Sequence, residues 1–277
     1  MHAPNSMEGH SNDTLGNKLG RSGAKLAKVV AFANQKGGVA KTTTTLNLGV
    51  AIKEFGYRVL AVDLDPQGNL TMSLGLNPDE LRPSMYDVLV GGVNIERVIF
   101  ERELDIAVAS IDLAAAEIAL GSLIGRERVL SKALMPIRDR YDYIMVDTPP
   151  SLGLLTVNAL TAADAVIVPV QCEYLSLRGL AQLERTLELV RENLNPNVHI
   201  AGIVPTLYDA RTVHGREAVE VLRSSFGDLV FNTAIAKTIR FAEASVKGES
   251  VLRYAPESQA AQAYRELARE VLDGKKI

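Results

Sequence analysis

No run in the chain approaches the roughly 18 uninterrupted apolar residues that a membrane-spanning helix needs, and the first residues lack the apolar stretch of a secretory signal. These absences predict a soluble, cytoplasmic protein. Cysteine is nearly missing: Cys172 is the only one among 277 residues. That excludes an intramolecular disulfide framework and any metal site built from several thiolates of one chain. A surplus of positive charge is missing too, with 30 Lys and Arg against 33 Asp and Glu and a net charge of −3. A dedicated nucleic-acid binder carries a strongly basic footprint, so any DNA contact here is local and conditional. Residues 1–27 contain no aromatic residue and no apolar periodicity, and are rich in Gly, Ser and Asn. They read as a disordered tail.

What is present is enough apolar material, 47% of residues, for one substantial core, which predicts a single domain over residues 28–277. From Lys28 onward, short β-branched runs (VVAFA, RVLAVD, LDIAVA, YDYIMVD, DAVIVPV, VHIAGIV) alternate with helical stretches. Runs apolar at nearly every position belong to strands buried on both faces, and helices between them imply a parallel sheet. Helices are expected at about 41–55, 124–139, 153–161, 176–193, 212–226 and 258–272. The fold class is therefore α/β, a doubly wound, mostly parallel sheet with helices on both faces. Ser258 is placed to cap the last helix, whose Ala261, Tyr264, Leu267, Ala268 and Val271 fall on one face expected to dock on the sheet.

Directly after the first strand comes Lys36-Gly37-Gly38-Val39-Ala40-Lys41-Thr42-Thr43, followed by a helix-compatible stretch. Strand, Gly-rich loop and helix are the context of a phosphate cradle. Gly37 and Gly38 would let backbone N–H groups turn toward a polyphosphate. Lys41 would reach its β and γ oxygens and the Thr42 hydroxyl would bind Mg²⁺. The strict Walker pattern fails, because Gln35 and Ala40 stand where it has glycine. An added methyl at position 40 either crowds the phosphates or is tolerated at a negative φ. Two further strands end in carboxylates, Asp63 and Asp65 in VDLDPQGN and Asp147 in YIMVDTPP, at the sheet edge where open α/β folds bind ligands.

The second lysine at the front of the loop, Lys36, makes the sequence resemble the deviant-Walker ATPases, specifically the ParA/Soj chromosome and plasmid partition proteins. Their loop reads KGGVGKTT, and this chain departs only at Ala40. The likeness continues through DLDPQGN, Val170–Leu180, Tyr208–Thr212 and Thr238–Phe241, covering about residues 28 to 274. It implies the P-loop NTPase fold of the deviant Walker A subclass, and ATP and Mg²⁺ as cofactors. It implies weak ATP hydrolysis, with Lys36 reaching across a nucleotide-sandwich homodimer, Asp65 orienting the attacking water, Asp63 supporting the Mg²⁺ shell and Asp147 holding Mg²⁺ through water. It further implies nonspecific binding of nucleoid DNA by the ATP-bound dimer through Arg211 and Arg240, and a ParB-like partner that stimulates hydrolysis and release.

From Thr206 to Lys247, six Lys/Arg face five Asp/Glu, so the DNA assignment rests on the resemblance alone. Ala236-Lys237-Thr238-Ile239 and Ala244-Ser245 also depart from the family pattern there. Cys172, with no histidine nearby in sequence, reads as a small buried residue, not a nucleophile. Two other readings remain open. One is a membrane-associated positioning ATPase like the MinD group, against which the weakly basic last helix argues. The other is an enzyme transferring phosphoryl groups to a small molecule. A nitrogenase-reductase-like carrier is excluded, since that group needs two cysteines per subunit.

Overall fold

Strands that are apolar at successive positions must be covered on both sides, and the sheet is built from such segments. The computed structural model describes residues 26–172, 177–209 and 211–274, so the expected tail lies outside the described residues up to position 25. Seven strands, β1 (Lys28–Phe32), β2 (Val59–Asp63), β3 (Ile99–Phe100), β4 (Asp105–Ala107), β5 (Tyr143–Asp147), β6 (Ala165–Gln171) and β7 (His199–Thr206), form one sheet. Their order is β3-β4-β2-β5-β1-β6-β7. Every pairing is parallel except β3 with β4. All five residues of β2 are buried, as are the last four of β1 and β5.

The helices are α1 (Lys41–Glu54), α2 (Asn69–Met72), α3 (Met85–Leu89), α4 (Leu113–Gly121), α5 (Val129–Leu134), α6 (Leu154–Ala162), α7 (Leu177–Asn193), α8 (Val213–Phe226), α9 (Arg240–Lys247), α10 (Val251–Tyr254) and α11 (Gln259–Asp273). The β1–α1–β2 connection crosses the sheet in one direction and β5–α6–β6 in the other. Because such crossovers are right-handed, α1 and α6 cover opposite faces. The direction reverses between the neighbouring strands β1 and β5, and ligands of open α/β sheets bind outside the carboxyl ends of strands at such a point. Register brings three strand ends level there, since Asp147 pairs with Phe32 on one side and with Asp63 on the other.

The expected helix over 124–139 is a correction. It is broken into a 3₁₀ turn at Arg126–Arg128, α5, and a second 3₁₀ turn at Met135–Ile137. Pro136 lies in that last turn, and with no N–H it cannot continue the helical ladder. The last helix forms as expected. The Ser258 side chain accepts from the Ala261 N–H, and Ala261, Tyr264, Leu267, Ala268 and Val271 are buried. This face packs chiefly on α1 instead of directly on the sheet. Among the described residues no helix is long and apolar enough to cross a membrane.

Both margins of the sheet are short or covered. The two residues of β3 pair antiparallel to β4. On the far side, Phe231 N–H donates to the Ile203 carbonyl, Ile235 N–H to that of Pro205, and Tyr208 N–H to that of Ile235.

Candidate functional site

The loop leaving β1 is pinned from behind. The Asn34 amide donates to the Pro169 carbonyl at 2.7 Å, while its Oδ1 accepts the Lys36 N–H at 3.0 Å. The Thr206 hydroxyl, at the end of β7, donates to the Val39 carbonyl at 3.0 Å. Gly37 and Gly38 are exposed, Val39 is buried, and α1 begins at Lys41. The first turn of α1 contains no acidic residue and its N-cap position offers no side-chain hydrogen bond. A helix start leaves several N–H groups without helical partners, and there the dipole favours an anion.

Ala40 settles its own question. Its φ is +64° and ψ +35°, the left-handed region, so the condition under which its methyl would be tolerated without strain is not met. The conformation is held because the Ala40 carbonyl accepts from both the backbone N–H and the hydroxyl of Thr44, at 2.9 and 2.7 Å.

The buried Lys41 has its Nζ 3.5 Å from the Lys36 carbonyl. Burial lowers the pKa of its ammonium, and the charges of Asp147 and Asp65 oppose that shift. Lys36 is half-buried at the rim, its Nζ donating to Gln171 Oε1 at 2.9 Å. The Thr42 hydroxyl donates to Asp147 Oδ2 at 2.6 Å, and the Thr45 hydroxyl lies 3.4 Å from Asp147 Oδ1. Asp147 is fully buried. Burial, followed by the charge of Asp63, pushes its pKa up to about 8. Thr43 follows Thr42 in the first turn of α1 and its carbonyl accepts from the Asn47 amide at 2.7 Å.

Asp63 is committed elsewhere. Its Oδ1 accepts the Asp65 N–H at 3.1 Å, and its Oδ2 accepts the N–H and hydroxyl of Thr71 at 2.9 and 2.7 Å. It is fully buried, and burial pushes its pKa up to about 6. Both oxygens thus staple the loop after β2 to α2. Asp65 is 7% exposed, its Oδ1 accepting the Gln67 N–H at 3.0 Å. The structure therefore gathers Lys36, Lys41, Thr42, Asp65 and Asp147 around the start of α1, with Asp63 behind them as an anchor.

Arg211 and Arg240 line a second feature, a cleft of about 620 Å³ that also takes in Lys237, Ser258 and Gln259. Arg211 forks onto Asp209, with Nε to Oδ1 at 3.0 Å and Nη2 to Oδ2 at 3.1 Å, while Arg240 Nη1 meets Glu243 Oε2 at 2.9 Å. Both pairs lie at the surface, where such interactions contribute little and exchange easily for a new anion. Cys172 is half-buried and burial pushes its thiol up to about 11, so it is not a thiolate.

Comparison with known proteins finds relatives along most of the chain. The family described as an AAA domain matches residues 27–200. The sporulation initiation inhibitor protein Soj of Bacillus subtilis is 45% identical over 89% of this chain and 98% of its own. The chromosome partitioning protein ParA of Caulobacter vibrioides is 46% identical, over 88% and 94%. The chain belongs to the ParA/Soj family. Among solved structures, cobyrinic acid a,c-diamide synthase from Mycobacterium smegmatis, with bound ADP and magnesium, matches with a TM-score of 0.80 and 42% identity, covering 91% of this chain and 98% of that one. It has also been solved with an ATP analog and magnesium.

For a ParA/Soj protein, several residues that hold the site together escape sequence reasoning. Asn34, Thr71, Thr148 and Thr206 are all buried polar groups at strand ends or beside them; Thr148 donates to the Phe32 carbonyl at 2.7 Å and so ties β5 to β1. None of the four stands in a pattern of its own; the run Thr42 to Thr45 is a signal only for Thr44 and Thr45, because β-branched hydroxyl residues are poor helix formers and collect where side-chain oxygens bond. Within the Val170–Leu180 stretch of resemblance, Glu173–Ser176 lie outside the described residues.

Proposed function

We propose that this chain is a partition ATPase whose binding and slow hydrolysis of ATP switch its self-association and its hold on DNA. The observation that carries the reading is the Thr42–Asp147 contact at the start of α1, beside the buried Lys41. In this reading the N–H groups of Gly37 to Thr43 cradle the phosphates and Lys41 neutralises their β and γ oxygens. Thr42 and Asp147 would hold Mg²⁺, which when bound offsets phosphate charge; hydroxyl and carboxylate oxygens are the donors that ion prefers. Asp65 orients the attacking water, and Lys36, at the rim, supplies charge to the partner's phosphates in a sandwich homodimer. Asp63 acts on the Mg²⁺ shell only indirectly, by fixing the loop that carries Asp65.

Arg211 and Arg240, with Lys237, form the DNA surface, and two such clefts on one dimer add their phosphate contacts. A ParB-like partner stimulates hydrolysis and release, and the chain works in the cytoplasm on the nucleoid. Family membership supports the partitioning role, and ADP, ATP analog and magnesium in a 42% identical structure support the cofactors.

The test is binding to a nonspecific DNA duplex with ATP, with ADP and without nucleotide, at one salt concentration, for the native chain, Lys41→Ala and Arg240→Ala. Binding only with ATP, lost in both variants, is the expected result; equal or absent binding in every state removes the DNA limb. The 42% identity to a cobyrinic acid a,c-diamide synthase favours a second reading, ATP-dependent activation of a small molecule. Release of ADP that depends on an added small acid, with neither DNA nor protein partner, would decide for it.

A further inference from the structure

Helix α9, which begins with Arg240, is held from two sides of the candidate nucleotide site. From the phosphate loop, the Thr44 hydroxyl donates to the Ala40 carbonyl at 2.7 Å, and its oxygen lies 3.3 Å from the Tyr264 hydroxyl. With the Thr44 proton committed to Ala40, Tyr264 is the donor of the second bond. Tyr264 is fully buried in α11, and its ring meets Phe241 edge-on, with centroids 5.8 Å apart at 76°. Phe241 is the second residue of α9.

The other tether starts at the carboxylates. Asp63 fixes Thr71 in α2, and one residue past that helix Ser73 Oγ lies 2.9 Å from Ser245 Oγ in α9. Beyond it the backbones nearly touch, because a Cβ on Gly248 would stand 2.7 Å from the Gly75 Cα. Only glycine permits that approach, and at Gly248 it also serves the positive φ of 70° that ends α9.

Apart from these tethers α9 meets mainly α10, where the Tyr254 hydroxyl donates to Glu243 Oε2 at 3.4 Å. It has eight residues, only Ala244 is buried, and Val246 is 86% exposed. A short helix with so little buried surface shifts at small cost when either anchor moves. Its first residue is one of the two arginines of the cleft.

We propose that Tyr264 and Ser245 are positioning residues that tie the placement of α9, and with it Arg240, to the occupancy of the phosphate loop and the Asp65 loop. The proposal rests on the functional reading above and names the parts that carry its switch. A nucleotide that draws Ala40 or the Asp65 loop toward its phosphates changes one end of each tether, and α9 is the shared far end. A ligand shifts such an equilibrium only through contacts that differ between the two states, and the carbonyl of Ala40 is one such contact.

Tyr264→Phe and Ser245→Ala each delete one hydroxyl and keep the shape of the packing. For the native chain, both variants and the double variant, duplex affinity is measured with ATP and with ADP, and nucleotide affinity with and without duplex. Linkage requires that the factor by which ATP over ADP tightens DNA equals the factor by which DNA favours ATP over ADP. Each variant is expected to shrink that factor about fivefold in both directions, as loss of one hydrogen bond, buried at Tyr264 and part-buried at Ser245, implies. Nucleotide affinity without DNA should stay within about twofold of native, whereas a general loosening of the phosphate loop would weaken it. A native coupling factor retained in both single variants overturns the proposal, as does a matching loss of nucleotide affinity in the absence of DNA. Equal duplex affinity of the native chain with ATP and ADP overturns the functional reading instead, and this proposal with it.

Discussion

A left-handed alanine in the phosphate loop is the residue most at odds with its surroundings. For an L-residue that conformation costs roughly 1–2 kcal/mol, and glycine escapes the cost. Ala40→Gly is expected to stabilise the nucleotide-free chain by about 0.5–1 kcal/mol in denaturant melts, the reverse of the usual Ala→Gly loss at a helix. Titration gives a second expectation. Asp147 and Asp63 have pKa values of about 8 and 6, above the carboxylate range, because burial penalises their charge. The folded chain therefore keeps protons that the unfolded chain has released, so stability falls as pH rises from about 4 to about 8 and levels off beyond. Asp147→Asn should remove most of the slope between pH 6 and 8 and stabilise the nucleotide-free form at pH 8 by on the order of 1–3 kcal/mol. Midpoints of the native chain and the variant taken at pH 4, 6, 8 and 9 check both statements. Lys41, Thr42 and Asp147 were legible because phosphate chemistry demands them at fixed offsets from strand ends. Thr71 and Thr206 were not, since their partners Asp63 and Val39 stand 8 and 167 positions away.

Elements were legible in proportion to their burial. The six apolar runs all became strands, and α11 carried its pattern so plainly that its cap and its buried face were both foreseen. If that face is structural, Leu267→Ala should cost about 2–5 kcal/mol in the denaturant midpoint, as a cavity beside α1 would. A melt unchanged by the substitution would mean that the helix is not docked. Strand β3, with two residues, is too short to show alternation, and α9, with eight, is too short for its apolar stripe to repeat, so neither was expected. The break at Pro136 is readable in the sequence, since proline inside an apolar helical pattern ends the helix unless it sits in a first turn.

For the whole molecule, nucleotide and stability are linked. ATP with magnesium at about 100 times its dissociation constant should raise stability by about 2.7 kcal/mol, or roughly 5–10 °C for a chain of this size. Lys41→Ala should abolish that shift in a thermal melt while leaving the nucleotide-free midpoint nearly unchanged. The topology of the sheet was foreseen only as a class. Strand order depends on which crossover goes which way, and that is decided by contacts between distant segments. The margins of that sheet bear on how the protein behaves when crowded. One side offers a second chain a template of two residues, and on the other Phe231 to Ala236 already occupies backbone groups along β7. An open edge is where strands recruit one another into fibres. With both edges denied, high local concentration on a surface should yield discrete, reversible assemblies of folded chains, and amyloid-type growth should require unfolding first.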